Sequence, residues 1–168
     1  RGGGDRAPLC AARVTAGQGG RMGGSGRVRV VVVGGGASGL VAAIAAARVG
    51  ASVDLLERGE RVGRKLLATG NGRCNLANLQ PDPGRYHGQV AAFPAAVLAR
   101  FDVDRTLGFF RGLGITPVAE EDGRVYPRSQ QASAVLDVLR WEVEEAGVRV
   151  ATDAEVRAVR PTAAAIGW

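Results

Sequence analysis

The feature that most constrains this chain is the run Gly34-Gly35-Gly36-Ala37-Ser38-Gly39, which lies between two different apolar patterns. Before it, Val28 to Val33 is rich in β-branched side chains and predicts a buried parallel strand. After it, Ala37 to Val49 is rich in alanine with its larger side chains at helical spacing, and Gly50 is placed to end the helix. The glycines therefore predict a tight turn from a strand into a helix.

The spacing of these glycines satisfies the pattern G-x-G-x-x-G. Gly34 permits the tight turn, Gly36 lets the backbone approach a pyrophosphate, and Gly39 lets the helix lie close to the strand. The first helical residues, Ala37 and Ser38, present backbone amides that favour an anion. The sequence therefore predicts a dinucleotide-binding turn at these positions.

A second strand is predicted from Ser52 to Glu57, which completes a βαβ unit of about thirty residues. Glu57 lies 23 residues after Gly34, where a carboxylate can accept hydrogen bonds from the adenosine ribose hydroxyls. The same charge disfavours a 2′-phosphate, and therefore NADP, despite the neighbouring Arg58. The alternative, a simple turn followed by a solvated strand end, is weakened by the order of strand, glycines, helix, strand and acid.

The rest of the chain alternates loops, helices and short strands. A glycine-rich, basic stretch from Arg58 to Asn78 has no regular periodicity and reads as a functional loop. Further elements are predicted as follows: one helix or a broken pair of helices in Phe93 to Gly112, an extended run Ile115 to Val118, a hairpin or turn in Glu120 to Arg128, a helix from the N-cap Ser129 through Ala146, and strands Val148 to Ala151 and Glu155 to Val159.

Two further segments of this chain carry specific motifs. Gly63-Arg64-Lys65 leads into Gly72-Arg73-Cys74-Asn75, and Gly123-Arg124-Val125-Tyr126-Pro127-Arg128-Ser129 follows later. Read with the glycine turn, they resemble the aminoacetone oxidase or 3-dehydro-bile-acid reductase-like flavoproteins over about Val28 to Val159. The resemblance implies an α/β fold with a Rossmann-like FAD-binding βαβ unit of the glutathione-reductase type, here incomplete because family members continue well beyond this length.

The resemblance also implies a set of FAD contacts in the basic loop and on the late strand. Basic side chains can neutralise pyrophosphate charge, glycines admit the backbone, and an asparagine can both donate and accept. With the glycine turn, Glu57 and Arg58, the expected cofactor residues are Arg64, Lys65, Gly72, Arg73, Cys74, Asn75 and Val156.

The cysteines and the histidine predict neither a disulfide framework nor a metal site. Cys10 and Cys74 are the only cysteines, so dithiol redox chemistry is disfavoured and Cys74 reads as a packed thiol more than a reactive one. His87 is the only histidine and has no cluster of ligands at metal spacing, so it reads as a surface residue. Tyr126 reads as a packing residue more than as a phenol offered to a substrate, and Trp141 reads as a core or interface residue. The cytoplasm is the expected compartment.

The net charge of +6 and the first residues of the chain carry little functional information. Residues 1–21 hold four arginines and one aspartate, and Met22 looks like the natural start, so this stretch is expected to be a disordered tail or upstream translation. Residues 22–168 then form the N-terminal portion of the FAD-binding domain. The remaining arginines are scattered, which does not predict nucleic-acid binding. The sequence has no apolar run long enough to predict membrane insertion.

The reaction class follows from the resemblance alone. It implies hydride transfer between NAD(P)H, FAD and a small organic substrate, either to reduce a conjugated carbon–carbon double bond or to oxidise a small amine. No catalytic acid or base can be named from the sequence. Two alternatives stay open, an inactive flavin- or nucleotide-binding module and an NAD-dependent dehydrogenase.

Overall fold

The computed structural model describes residues 27–82, 84, 86 and 92–160. Outside this part of the chain lie the positions of several predictions, namely residues 1–21, Met22, and His87. The chain forms two compact units, Arg1–Val62 with Ala146–Trp168, and Gly63–Glu145. They are called the first unit and the second unit below.

The elements alternate between strands and helices along the chain. In order they are β1 (Arg29–Val33), α1 (Ala37–Arg48), β2 (Ser52–Leu56), a kinked 3-10 segment (Leu66–Gly72), β3 (Ala77–Asn78), α2 (Ala92–Arg100), α3 (Val103–Gly112), β4 (Pro117–Ala119), β5 (Arg124–Pro127), α4 (Ala132–Glu145) and β6 (Arg149–Ala151). Among the described residues, no helix is both long and apolar enough to cross a membrane.

The first unit contains a parallel sheet in the order β1-β2-β6, with α1 as the crossover between β1 and β2. The larger apolar residues of α1 recur at helical spacing, and Leu40 and Ile44 have no solvent exposure. They share the core with Val53 and Leu55 of β2, which are also buried. The predicted βαβ unit is therefore present, and Gly50 follows the helix with a φ of +90° as expected.

The strand β1 is less buried than its sequence predicted. Val31 and Val33 are 41% and 58% exposed, whereas Val30 and Val32 between them are half-buried. The prediction of a fully buried strand was wrong, because within the described residues β1 is an edge strand that pairs with β2 alone. Apolar composition identified the strand but not the coverage of its two faces.

The second unit contains a three-stranded antiparallel sheet in the order β3-β5-β4 and the helix α4. Only the turn and the second strand of the β4–β5 hairpin lie within the predicted Glu120 to Arg128, and its first strand begins in the extended run predicted at Ile115 to Val118. Of the two alternatives for Phe93 to Gly112, the structure has the broken pair, α2 and α3. Asp102 caps α3 by accepting the Arg105 N–H at 2.8 Å. The helix α4 begins at Ala132, three residues after the predicted N-cap. It buries Val135, Leu139 and Val143, whereas Trp141 is 59% exposed and does not belong to the core of this unit.

The predicted strand from Glu155 to Val159 does not form. After β6 the chain turns instead, and the N–H groups of Asp153 and Ala154 donate to the carbonyls of Gly59 and Glu57 at 3.0 and 2.9 Å. Asp153 has a φ of +53°, which ends the extended conformation. The chain thus enters residues 155–159 from a turn that is bonded to the loop after β2, and these residues have no regular secondary structure.

A buried carboxylate ties the three strands of the first unit together. Asp54 lies in the middle of β2 and is 8% exposed. Its Oδ1 accepts from Nε of Arg149 on β6 at 2.6 Å, and its Oδ2 accepts from Nε of Arg29 on β1 at 3.0 Å. The Arg149 hydrogen bond and then the Arg29 hydrogen bond hold the pKa of Asp54 below its usual range, although burial opposes them.

We expect Asp54→Asn to lower the free energy of unfolding by about 1–2 kcal/mol at pH 7, because the amide loses the charge that both guanidinium groups pair with. Since folding lowers the pKa of Asp54, the stabilisation is complete above about pH 4 and is lost as the pH falls through the folded-state pKa. Urea unfolding at several pH values measures the difference, which should shrink towards acid.

Asp153→Asn is the matched control for this measurement. Asp153 is exposed in the same unit, and asparagine tolerates its positive φ, so the free energy of unfolding should change by less than about 0.5 kcal/mol. Wild-type stability in Asp54→Asn at pH 7 would contradict a structural role for the ion pairs.

Candidate functional site

The glycine turn of the first unit has the geometry that its sequence predicted. Gly34 has a φ of +98°, in the left-handed region, and its N–H donates to the Leu56 carbonyl at 2.8 Å. A Cβ on Gly39 would overlap the carbonyl oxygen of Gly34. The helix therefore approaches the end of β1 more closely than any side chain at this position allows.

The start of α1 is open to an anion. Gly36 is the N-cap residue, no side chain caps the helix, and no acidic residue lies in its first turn. The next residues, Ala37 and Ser38, are exposed, and a Cβ on Gly36 would meet nothing within 4 Å. Without a capping side chain, the first amides of the helix and the positive end of its dipole are available to an anion such as a phosphate.

Glu57 lies beside this turn with its carboxylate held in place. Its Oε1 accepts the N–H of Gly59 at 2.8 Å, and its Oε2 accepts the N–H of Gly35 at 2.7 Å. The bond from Gly59, then the bond from Gly35, hold the pKa of Glu57 below its usual range, and the positive charge of Arg58 adds to them. The backbone N–H of Arg58 also donates to this carboxylate, and the acceptor capacity that is left can serve a ligand's hydroxyl group.

Sequence reasoning did not single out Gly35 or Gly59. A Cβ on Gly35 would lie 2.5 Å from Cγ1 of Val62, so this position requires glycine for packing as well as for its bond to Glu57. The signal was available, because Gly35 is the middle of three consecutive glycines and the motif needs only the outer two. For Gly59 no pattern distinguishes its amide from that of any other loop residue.

The second unit presents part of the basic loop to solvent. Arg64 and Lys65 are exposed just before the 3-10 segment, and Gly72 and Asn75 are exposed after its kink. The loop is anchored at Gly63, because a Cβ there would overlap the side chain of Leu136 on α4. Four of the six loop residues expected to contact the cofactor are therefore accessible in this unit.

Cys74 is packed inside the second unit. Its side chain is 7% exposed, its φ is +62°, and its N–H donates to the Thr69 carbonyl at 3.0 Å. Burial raises the pKa of the Cys74 thiol, and a hydrogen bond with Thr69 opposes this shift only in part. These features favour the packed-thiol interpretation over a nucleophilic thiolate.

Arg73 is half-buried and bonded within its own unit. Its Nη1 lies 2.6 Å from Oε1 of Glu120 and 3.3 Å from Oε1 of Gln130. The guanidinium carbon lies 3.9 Å from the ring centroid of Tyr126, which is 2% exposed. Tyr126 is thus a packing residue, as predicted, and Arg73 already has protein partners.

The structure brings the predicted residues together in two groups. Gly34, Gly36, Ala37, Ser38, Gly39, Glu57 and Arg58 meet in the first unit, and Arg64 to Asn75 form one loop in the second. Val156 is half-buried and lies in irregular structure rather than on the strand that was expected to carry it. Within the described residues, no group of three or more His, Cys, Asp or Glu side chains could hold a metal ion.

Comparison with known proteins agrees with the fold. The family model described as the HI0933-like protein Rossmann domain matches residues 28–166. The chain belongs to the HI0933-like family. Its predicted resemblance to the 3-dehydro-bile-acid reductase-like proteins is confirmed, and so is the α/β Rossmann-like fold with a parallel sheet.

Individual relatives differ in their named activities. The 3-dehydro-bile acid delta(4,6)-reductase of Clostridium scindens is 46% identical over 137 residues, covering 80% of this chain and 33% of that protein. The ribosomal RNA dihydrouridine synthase of Haemophilus influenzae is 31% identical over 129 residues, covering 77% of this chain and 32% of that protein. The chain thus spans about a third of the length of these relatives.

A solved structure supports the fold alone. The 3-ketosteroid-delta4-(5alpha)-dehydrogenase of Rhodococcus jostii RHA1 superposes with a TM-score of 0.55 at 17% identity, covering 75% of this chain and 38% of that one. At this identity the likeness concerns the path of the backbone, so it carries no statement about chemistry.

We expect Gly39→Ala to destabilise the chain by about 1–3 kcal/mol or more, because its methyl group meets a backbone carbonyl that cannot move aside without shifting β1. Gly36→Ala is the control, since open space surrounds that position and only a weaker helix cap, below about 1 kcal/mol, is expected. Thermal unfolding compares the two, and equal stabilities would contradict the close-packing role of Gly39.

We expect the Cys74 thiol to react with a disulfide reagent at least about tenfold more slowly in the folded chain than in urea, because it is buried and protonated. The measurement uses Cys10→Ser, which leaves one thiol. As a reference, Ser133→Cys on the exposed side of α4, with both natural cysteines replaced by serine, should react at the unfolded rate. Equal rates for Cys74 and the reference would contradict the packed-thiol interpretation.

Proposed function

We propose that this chain binds FAD and forms the cofactor-binding part of a flavin-dependent oxidoreductase. The observation that carries the proposal is the arrangement in the first unit, where an uncapped helix N-terminus, an open Gly36 and an oriented Glu57 carboxylate lie around one turn. Phosphates would accept from the amides of Ala37 and Ser38, and ribose hydroxyls would donate to Glu57. Together, the helix N-terminus, the open Gly36 and the Glu57 carboxylate fit the ADP group of a dinucleotide.

The charge of Glu57 also defines which dinucleotides fit. Its lowered pKa keeps the carboxylate ionised at neutral pH, so it accepts hydroxyl protons and repels a 2′-phosphate. Arg58 is exposed beside it and partly offsets this repulsion. We therefore propose FAD for this turn and not NADP.

The loop of the second unit enters the proposal through the family resemblance. Exposure leaves Arg64, Lys65, Gly72 and Asn75 able to contact a cofactor with side-chain charge, open backbone and an amide. Cys74 can contribute only backbone atoms, because its thiol is buried. The expected backbone contact of Val156 with adenine is kept as a proposal for a residue in irregular structure.

The proposed reaction is reduction of a carbon–carbon double bond in a small organic molecule, with NAD(P)H as the electron donor. When bound, FAD supplies the hydride chemistry between donor and substrate. The support is the 46% identity to a bile acid reductase, compared with 31% to a ribosomal RNA enzyme. The protein's own contribution is to bind the dinucleotide and to fix its orientation.

A second candidate is a reductase that acts on RNA. It is favoured by the relationship to the ribosomal RNA dihydrouridine synthase of Haemophilus influenzae. Binding of a ribosomal RNA fragment that weakens steeply as salt rises would support this candidate. Salt-insensitive or absent binding, together with reduction of an unsaturated ketone by the flavin-loaded protein, would support the small-molecule substrate.

We expect the full chain to keep visible flavin absorption after incubation with FAD and gel filtration. Gly36→Ala should weaken FAD binding about tenfold or more while the chain stays folded, because the methyl group fills the space where the pyrophosphate meets the backbone. A folded, colourless wild-type chain would overturn the FAD assignment. Binding of NADH by that colourless chain would then support the NAD-dependent dehydrogenase, and flavin binding without any turnover would support the inactive module.

A further inference from the structure

Arg73 connects the cofactor loop of the second unit to the β4–β5 hairpin. Its three side-chain partners, Glu120, Gln130 and Tyr126, all come from the segment that forms and follows this hairpin. We call the contact of Arg73 with Glu120 and Tyr126 the Arg73 clamp. It joins residues that lie 47 positions apart in the chain.

The clamp uses both the edge and the face of the guanidinium group. The edge makes a short charge-assisted hydrogen bond to Glu120 at 2.6 Å, and the face stacks on the ring of Tyr126 at 3.9 Å. Arginine can satisfy both contacts at once because its guanidinium is planar, whereas lysine carries a point charge without a face. The arginine side chain is only 33% exposed, which limits screening by solvent.

The loop that the clamp holds has an unusual backbone. Asn71 and Cys74 have φ values of +54° and +62°, a region that side-chain-bearing residues adopt only rarely. Gly70, with a φ of +55°, lies against the Tyr126 ring, since a Cβ there would be 3.0 Å from Cε1. Tyr126 therefore contacts the loop at Gly70 and at Arg73, and such a conformation persists only where surrounding contacts determine it.

We propose that Arg73 is a positioning residue, which holds residues 70–75 so that Gly72 and Asn75 are presented to the cofactor, and that its guanidinium is not a phosphate ligand. The proposal rests on the proposed FAD-binding function. It changes the expectation from the family resemblance, in which Arg73 contacts the cofactor like Arg64 and Lys65. The difference is that Arg64 and Lys65 are exposed, whereas Arg73 is half-buried against the hairpin.

The variant that separates the two roles is Glu120→Gln. If Arg73 bound phosphate directly, removing the charge of Glu120 would free the guanidinium and leave FAD binding unchanged or tighter. If Arg73 positions the loop, Glu120→Gln weakens FAD binding as Arg73→Gln does, by about fivefold or more, and the double variant is no weaker than either single one. Arg73→Lys should fail to restore binding, because lysine cannot stack and pair together.

In the first measurement, FAD is titrated into each full-length variant and the flavin absorption is followed. In the second, urea unfolding without FAD gives the free energy of unfolding of each variant, from which the coupling between Arg73 and Glu120 is obtained. Glu121→Gln is the matched control, an exposed neighbouring glutamate that should leave both readouts unchanged. Loss of FAD affinity in Arg73→Gln but not in Glu120→Gln would overturn the proposal. Additive effects of the two changes on unfolding would also overturn it, because they would show that the clamp is not formed.

Failure of the proposed function has a different signature. If the unfolding free energies of the variants show that Arg73 and Glu120 are coupled but the wild-type chain binds no FAD, the clamp is present. Both the FAD proposal and the positioning role are then overturned. Coupled unfolding together with matched losses of FAD affinity would support the clamp and the proposed function.

Discussion

The close approach of Gly39 to the Gly34 carbonyl is the contact on which the first unit depends. A helix usually keeps its distance from a neighbouring strand because side chains stand between them, and here the absent side chain lets α1 begin directly at the end of β1. The helix starts at Ala37 with Gly36 as its N-cap and no side chain capping its first amides. The positive φ of Gly34 and the core made by Leu40, Ile44 and Leu55 are consistent with this entry geometry.

Two carboxylates with lowered pKa serve different purposes in the same unit. Both oxygens of Asp54 accept hydrogen bonds from arginine side chains on neighbouring strands, so its charge stabilises the sheet. Glu57 is held by backbone amides alone, which orient it but leave acceptor capacity for a ligand. Guanidinium partners neutralise a carboxylate, whereas single amide bonds stabilise its charge and keep it available. This contrast is why the ligand site is assigned to Glu57 and a structural role to Asp54.

The second unit shows the same division within one loop. Arg64 and Lys65 are exposed, whereas Arg73 is half-buried and Cys74 is buried. All four belong to one basic, glycine-rich stretch, and all four were expected from the sequence to contact the cofactor. The reason lies in the hairpin, which supplies an acid at Glu120 and an aromatic face at Tyr126. A cation near a carboxylate and a buried ring is more stable paired than extended into water. Residue type alone therefore did not distinguish ligands from supports.

Local sequence determined the elements whose physics is local: the strand–turn–helix order, the glycines of the turn and the end of α1 at Gly50. Each depends on steric limits or periodicity within a few residues. Local sequence left open whether Phe93 to Gly112 forms one helix or two and whether Glu120 to Arg128 forms a hairpin or only a turn, and the structure decided both. Tertiary structure decided what depends on partners distant in the chain. It left one face of β1 exposed, turned the segment after β6 towards Gly59 and Glu57, paired Asp54 with two arginines, and bound Arg73 to Glu120. Burial and hydrogen bonding between distant residues are properties of the assembled chain, and no periodicity in the sequence encodes them.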